Sequence, residues 1–543
     1  MKKLIYIFLS VLAFSSCSHL MDTKPSTEVD KSMILKDAES MKVAMNGIYS
    51  TMYNRIDFVT ANAHQCFGNM AVTLAADLMG EDMVQTAQGA GWFYKDYCYE
   101  QRQRYTAKIW RCYFTWTYFY QIIGNCNYIL SAVPTVEGDQ ATIKNVAAQA
   151  YAARAYSYFM LIQSFQQTLV GHETLPGVPI YTEPTVTGTT GKGRGTVQDV
   201  YNQINSDINT SLSLFRESKM SREHISHLDS CSTNLLKARV ALVENDWKKA
   251  EDACKAVING TSARLLSREE AAVTKGTFNN EDKSWVTGKT PFNTVSMSSI
   301  LWGAQVLSEQ CQVYASFYSH MDAATNVYYA AEAPKCISNW LYQQISSTDI
   351  RKGWWNDNIG VPRESWSYGA NINYNQHKFQ WADQKAYLGD YIFMRLEEVY
   401  IILAEALCRQ AKYTEARDAI WQVISRRDPY YLRSSLDALT GNIQTFASVG
   451  TVTTLLDMIL LQRRIELWGE TGRIFDILRL AKGWTRYWEL PGGEVSNHTN
   501  YLSKYAEYLQ FPADYIECIL MIPQVEIDNN PNINANDQNP YIQ

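Results

Sequence analysis

The stretch from Gly389 to Arg427, GDYIFMRLEEVYIILAEALCRQAKYTEARDAIWQVISRR, constrains the fold more than any other part of the chain. Ile392, Leu396, Val399, Leu403 and Ala406 recur at three- and four-residue steps, which puts them on one helical face. Ala416, Ala419, Ile420 and Val423 do the same in a second segment, so the spacing predicts two helices and a tight turn. The small Ala404, Ala406, Ala416 and Ala419 let the two backbones approach closely. Such a pair cannot bury its apolar faces alone and needs neighbours of its own kind. The same order recurs upstream. Trp247 stands for Tyr413, Ala250 for Ala416, Ala253 for Ala419, Val257 for Val423 and Ile258 for Ile424. An aromatic at the turn and alanines three apart suit the crossing of a tetratricopeptide-type hairpin. The copies are not spaced at a tandem period of about 34 residues. The expectation is therefore repeats scattered through a larger fold, the alternative being two ordinary helical hairpins.

Length and periodicity place the rest around this frame. At 543 residues and 46% hydrophobic, the chain can bury a large core, and length alone allows about three average domains. Helices are predicted at Asp37–Arg55, Thr106–Val133, Ala141–Phe165 and Thr196–Phe215, with Pro134 and the Gly171–Pro184 segment as breaks. Cys231–Asn259 holds the upstream hairpin. Gly260–Gln384 mixes Ser, Thr, Asn, Gly and aromatics without sustained period and reads as loops with short strands. Regular helix is predicted again from Asp390 and over Thr453–Lys482, with a polar, irregular tail after Trp484.

The N-terminus reads as a targeting segment. Lys2 and Lys3 precede the apolar run Leu4–Phe14, which is too short to span a membrane. Ser15 and Ser16 then stand directly before Cys17, as at a bacterial lipoprotein cleavage site, where the Cys17 thiol would be lipidated. Phe14 fits such a site imperfectly, and the alternative is an ordinary secretory peptide. Acyl chains contribute about 0.8 kcal/mol per buried methylene. No later stretch is apolar enough to span a bilayer, so the expectation is a body held at the membrane through its lipid anchor only. A net charge of −6 gives no reason to expect nucleic acid. The ten remaining cysteines form no C-x-x-C pair and read as small buried hydrophobes, with no disulfide pairing assigned.

Catalytic motifs are missing from the sequence: there is no G-x-S-x-G, H-E-x-x-H, P-loop or dinucleotide fingerprint. His224 and His227 lack a third ligand of fitting spacing, and Asn356-Asp357-Asn358 lacks the order of a calcium loop. No metal or cofactor is expected. The adjacent pairs Glu81-Asp82 and Glu397-Glu398 raise glycoside hydrolysis, which needs opposed carboxyls. Neighbours on one helix do not face each other, so Glu397-Glu398 reads as a solvated or salt-bridged face. Arg463, Arg464, Glu466, Glu470 and Arg473 read as a structural charge network.

Binding fits better. With 15 Trp and 35 Tyr, the chain is rich in side chains that offer an apolar face and a polar edge. A sugar ring is held by aromatics against its C–H face and by polar groups at its rim. The richest stretch is Gly80–Tyr99, GEDMVQTAQGAGWFYKDYCY. Its glycines at 89 and 91 predict a loop that presents Trp92 and Tyr94, with Asp82, Gln85 and Asp96 at the rim. The irregular stretch Trp285–Trp381 is the second candidate region, with Trp354 and Trp366 its most loop-like aromatics; the others are expected to be mostly structural.

Several segments resemble the SusD/RagB family of outer-membrane glycan-binding lipoproteins of Bacteroidetes. Cys17 is followed by Leu20-Met21-Asp22 and Pro25, and Leu175–Pro184 resembles the family's loop after an early helix. Arg395-Leu-Glu-Glu-Val-Tyr400 with Ala404-Glu-Ala406 resembles its most recognisable helix. Arg463-Arg-Ile-Glu-Leu-Trp-Gly-Glu470 with Arg473, Phe475-Asp476 and Arg479 resembles its C-terminal helix. Ile522-Pro523, Asn530-Pro531 and Gln538-Asn-Pro540 resemble its tail. The resemblance implies a mostly α fold in which tetratricopeptide-like hairpins form a scaffold for a loop-rich ligand surface, partly in the early region. It also implies an oligosaccharide or polysaccharide ligand and a SusC-like TonB-dependent transporter as partner. Peptides are the alternative ligand, since some relatives are associated with them, and a glycosidase is the weaker alternative. The expected organisation is a signal peptide at 1–16, an N-terminal helical part at 17–260 and a C-terminal part at 261–543. The last divides into a loop-rich 261–384 and helices with a polar tail at 385–543, all in one structural unit.

Overall fold

The computed structural model describes residues 35–56, 58–86, 92–99, 110–186, 188–279, 284–286, 288–310, 313–322, 333–355, 372–502 and 509–540. The fold is mostly helical. Its principal helices are α1 (Ala38–Thr51), α2 (Asn69–Met79), α3 (Trp110–Ala132), α4 (Gln140–Phe165) and α5 (Val197–Ser218). They continue as α6 (Ser230–Val243), α7 (Trp247–Gly260), α8 (Leu396–Arg409), α9 (Tyr413–Arg427), α10 (Leu455–Glu466) and α11 (Arg473–Leu480). From α3 to α9 each helix packs on its neighbour in order, α7 on α8 included, so residues far apart in sequence continue one stack.

The helices start where their caps dictate. Asp139, Asp229 and Asp246 accept backbone N–H groups at the starts of α4, α6 and α7, and Thr196 and Thr454 close capping boxes at α5 and α10. The two hairpins anticipated from the sequence are present and alike. Ala250, Ala253 and Val257 are buried in one, and Ala416, Ala419 and Val423 in the other. Their turns also match. Asn245 and Ala411 both adopt left-handed backbone, with φ of 55° and 59°. Beside them, Asp246 N–H donates to the Ala241 carbonyl and Lys412 N–H to that of Leu407, both at 2.9 Å.

Two sequence expectations are corrected. Helix does not resume at Asp390: Tyr391–Arg395 is strand β6, paired antiparallel with β4 (Ile300–Ala304), so Ile392 faces a sheet rather than a helix neighbour. The Asp390 carboxylate accepts the backbone N–H of Val295 and of Val306, both at 2.9 Å, and ties the start of the strand to this region. Nor is 453–482 one helix. Gly469 and Gly472 take φ of 78° and 76° between α10 and α11. A Cβ on Gly469 would lie 2.6 Å from the Phe379 ring, so both backbone and space demand glycine there.

The remaining strands are short pairs: β1 (Met83–Gln85) with β5 (Lys335–Ile337), β2 (Thr277–Asn279) with β3 (Ser284–Val286), and β7 (Trp484–Thr485) with β8 (Gln510–Phe511). The cysteines among the described residues are free and mostly buried. Among the described residues no helix is long and apolar enough to cross a membrane.

The charges expected to form a network are deeper than a surface reading suggests. Glu466 is fully buried and receives Arg427 at 2.8 Å, Arg395 at 2.8 Å and Arg351 at 3.2 Å. Arg427 also binds Glu397 at 3.0 Å, while Arg395 binds Glu470 at 2.6 Å. Glu398 is buried as well and pairs at 2.6 Å with Arg239, which reaches from α6 to α8. The Glu397-Glu398 pair is therefore salt-bridged and not solvated.

Candidate functional site

The two aromatic-rich regions picked out in the sequence meet in space. Strand β1 leads toward the early aromatic turn, and its partner β5 belongs to the irregular region, with Gln85 opposite Lys335. Thr86 extends the contact by donating its N–H to the Pro334 carbonyl at 3.1 Å and its hydroxyl to the same oxygen at 3.0 Å. No local pattern could announce this juncture, because its partners are 248 residues apart.

At this juncture Trp92 is part-exposed over the core. Its ring meets His64 edge to face, with centroids 5.1 Å apart. Burial pushes the His64 imidazole down to about 4, so it is neutral at physiological pH. The backbone beneath Trp92 is held from inside. Gln85 donates its side-chain N–H to the Trp92 carbonyl at 3.0 Å, and Gln65 accepts the Phe93 N–H at 2.6 Å. Phe93 has left-handed backbone, φ 58°, a conformation that costs a non-glycine residue about 1–3 kcal/mol. Its fully buried ring offsets this by packing 4.9 Å from His320 and 5.9 Å from Phe67, with the Arg111 guanidinium 4.8 Å above it. Arg111 is in turn fixed by Asp96 at 3.0 Å. An aromatic ring on a turn braced in this way is pre-organised to receive a flat apolar ligand face.

The structure separates the predicted site residues into three groups. Trp92 stays at the surface. Tyr94 is corrected from a loop-presented aromatic to a buried one: it opens the helical turn Tyr94–Tyr97, and its hydroxyl donates to the Tyr501 carbonyl at 2.9 Å. Gln85 and Asp96 are corrected from rim to support: both are buried, one holding the Trp92 carbonyl and the other Arg111. Asp82 is corrected too. It is buried against Arg464 of α10 at 2.6 Å and Arg473 of α11 at 3.2 Å, just before β1 begins. Trp354 has no exposed surface and donates its indole N–H to the Ala271 carbonyl at 2.8 Å, so it belongs to the core and not to a loop. Trp366, Cys17 and the glycines at 89 and 91 lie outside the described residues. His64, Gln65 and His320 were not anticipated as parts of the site. They enter it through tertiary contacts alone, and His320 is joined to the His64 carbonyl at 2.8 Å.

Glu81, the neighbour of Asp82, is buried against Arg473 at 2.8 Å. Among the described residues no cluster of three or more His, Cys, Asp or Glu could hold a metal ion.

Comparison with known proteins follows the same geography. Residues 27–239 match the family model SusD-like_3, described as starch-binding and associating with the outer membrane, and residues 313–541 match the SusD family model, SusD_RagB. No curated protein matches the chain. Among solved structures, a SusD superfamily protein from Bacteroides thetaiotaomicron VPI-5482 aligns with a TM-score of 0.72 and 21% identity, covering 93% of this chain and 100% of that one. A SusD-like carbohydrate binding protein from Bacteroides vulgatus ATCC 8482 aligns at 0.71 and 20% identity, covering 94% and 99%. A laminarin binding SusD-like protein aligns at 0.60 and 18% identity, covering 93% and 100%. At these identities the likeness is one of fold. The matched models lie on either side of the β1–β5 juncture, and the second takes in the downstream hairpin and the buried network around Glu466; by them, the chain belongs to the SusD/RagB family.

Proposed function

We propose that the protein is a cell-surface glycan-binding lipoprotein without catalytic activity, which captures oligosaccharide and delivers it to a SusC-like TonB-dependent transporter. The observation that carries this reading is the braced, part-exposed Trp92, a rigid aromatic face presented where the two halves of the chain meet. A pyranose ring stacks on such a face through its C–H bonds. The family description as starch-binding, and the laminarin-binding relative of the same fold, support a glucan or similar polysaccharide as ligand. The carboxylates nearest the turn, Asp82 and Asp96, are committed to arginines, which leaves binding rather than acid–base chemistry as the use of the site. Lipidation at Cys17 supplies the anchor in this reading.

The test is affinity electrophoresis of the protein lacking residues 1–17 in gels containing soluble starch, laminarin, xylan or mannan. Retardation by at least one is expected, and Trp92→Ala should weaken it about tenfold with little change in melting temperature, since loss of one stacking contact is a matter of roughly 1 kcal/mol. Retention on immobilised peptides with no polysaccharide bound would sink the glycan reading. For the anchor, Cys17→Ala should move the full-length protein from the membrane fraction to the soluble one; unchanged membrane retention would count against lipidation.

A further inference from the structure

A second groove, sharing no residue with the Trp92 turn, lies between α3, the segments 179–186 and 188–191, and the short helix Gln524–Asn529. Its volume is about 480 Å³, within the range of about 300–1,000 Å³ usual for small-ligand sites. Tyr120 and Tyr181 line it, both part-exposed, with rings edge to face at 5.8 Å and 83°. Both hydroxyls are engaged: that of Tyr120 donates to the Pro179 carbonyl at 2.7 Å, and that of Tyr181 accepts the Lys192 N–H at 2.8 Å. The rings are thereby locked. Trp116 packs behind Tyr120 at 4.9 Å and donates its indole N–H to Glu526 at 3.3 Å.

Glu526 brings a carboxylate to the wall of the groove. It accepts from Trp116 and from Asn530 and has no ion-pair partner among the described residues. This sets it apart from the buried Glu466, Asp82 and Glu405, each of which is matched by arginine. Gln121 and Thr117 also line the groove, and their side chains make no hydrogen bond among the described residues. Between them and the next turn of α3 stands Gly124. A Cβ placed there meets nothing within 4 Å. A glycine in the middle of a helix of 23 residues lowers helix stability and here keeps the groove floor bare.

We propose that this groove is a second saccharide subsite, separate from Trp92. A pyranose lies with its C–H face against one of the perpendicular rings of Tyr120 and Tyr181 and its edge against the other, and its hydroxyls meet Gln121, Thr117 and the Glu526 carboxylate. The inference rests on the glycan reading made above. Two sites on one body would engage two stretches of one long chain, which raises apparent affinity for polysaccharide over that for short fragments.

Gly124→Phe fills the groove from its floor without entering the core. The probes are soluble starch, laminarin and short oligosaccharides cut from each, measured by isothermal titration calorimetry. Wild type should bind two short oligosaccharides per chain. Gly124→Phe should bind one and lose about tenfold or more in apparent affinity for the parent polysaccharide. Tyr181→Ala, at a part-exposed position, should behave the same way if Gly124→Phe fails to fold. Wild-type stoichiometry of one, abolished by Trp92→Ala and untouched by both groove variants, would overturn the subsite and leave the glycan reading standing. Failure of wild type to bind any of these carbohydrates would overturn both.

Discussion

The two helical hairpins α6–α7 and α8–α9 turn in the same way but are buried in different surroundings. Each has a left-handed residue in the turn, buried alanines at the crossing and an aromatic at the start of the second helix. The upstream pair reaches its surroundings with few charges: Arg239 extends to Glu398, and Glu251 meets Lys255 and Lys412. The downstream pair has Glu397, Glu398, Glu405 and Arg427 in the interior, each matched by a charge from another element. The comparison separates two jobs. Repeated small residues build the stack, and buried ion pairs weld the stack to the irregular part. Paired buried charges are weak evidence for net stability but costly to break singly.

Removing Glu466 is the strongest way to break this distinction. Glu466→Ala leaves Arg427, Arg395 and Arg351 facing an empty centre, and the expected loss is about 3–5 kcal/mol in urea unfolding. A loss below about 1 kcal/mol would show that the network is not the weld. Acid gives an independent check. Burial alone would raise the Glu466 carboxyl, but Arg427, Arg395 and Arg351 hold it well below its ordinary value of 4.5. Its contribution is therefore complete above pH 4.5 and is lost as pH falls below it. Wild type should lose stability on acidification, and Glu466→Gln should lose less over the same range.

The equivalence of the hairpins is sharpened by matched overpacking. Ala250→Leu and Ala416→Leu should each cost about 1–3 kcal/mol, and by similar amounts. A cost confined to Ala416→Leu would mean that only the downstream crossing is tight. The smallest effect lies in the turns. Asn tolerates left-handed backbone and Ala does not, so Ala411→Gly should gain up to about 1 kcal/mol while Asn245→Gly changes little. Equal effects in thermal unfolding would show that the two turns are not strained differently.

The hairpins were readable because their information is local: alanines three apart, an aromatic at the turn and helical spacing suffice. The β6 strand was misread because Ile392 keeps step with Leu396 and Val399 by coincidence, and its pairing with Ile300–Ala304 leaves no trace in its own spacing. The break at Gly469 and Gly472 is masked in the sequence by the apolar period on either side. At the site, the glycine-flanked aromatics pointed to Trp92, which is part-exposed over the core, and to Tyr94, which is buried. Asp82, Gln85 and Asp96 were misassigned because polarity alone does not reveal whether an arginine or a buried carbonyl awaits the side chain. Trp354 shows the converse, an indole in an irregular stretch that is fully interior.

The pairing of Asp82 with Arg464 and of Glu81 with Arg473 has a consequence for the order of assembly. These partners stand 382 and 392 residues apart. A chain emerging N-terminus first exposes both carboxylates long before their arginines exist. The strand that leads to Trp92 can settle only after α10 and α11 arrive, so this turn is among the last parts of the chain to take its final form. Closing contacts of such long range is slow. A fragment ending at Gly260 would leave those two acids unmatched, and the Trp92 turn would await the C-terminal third of the molecule.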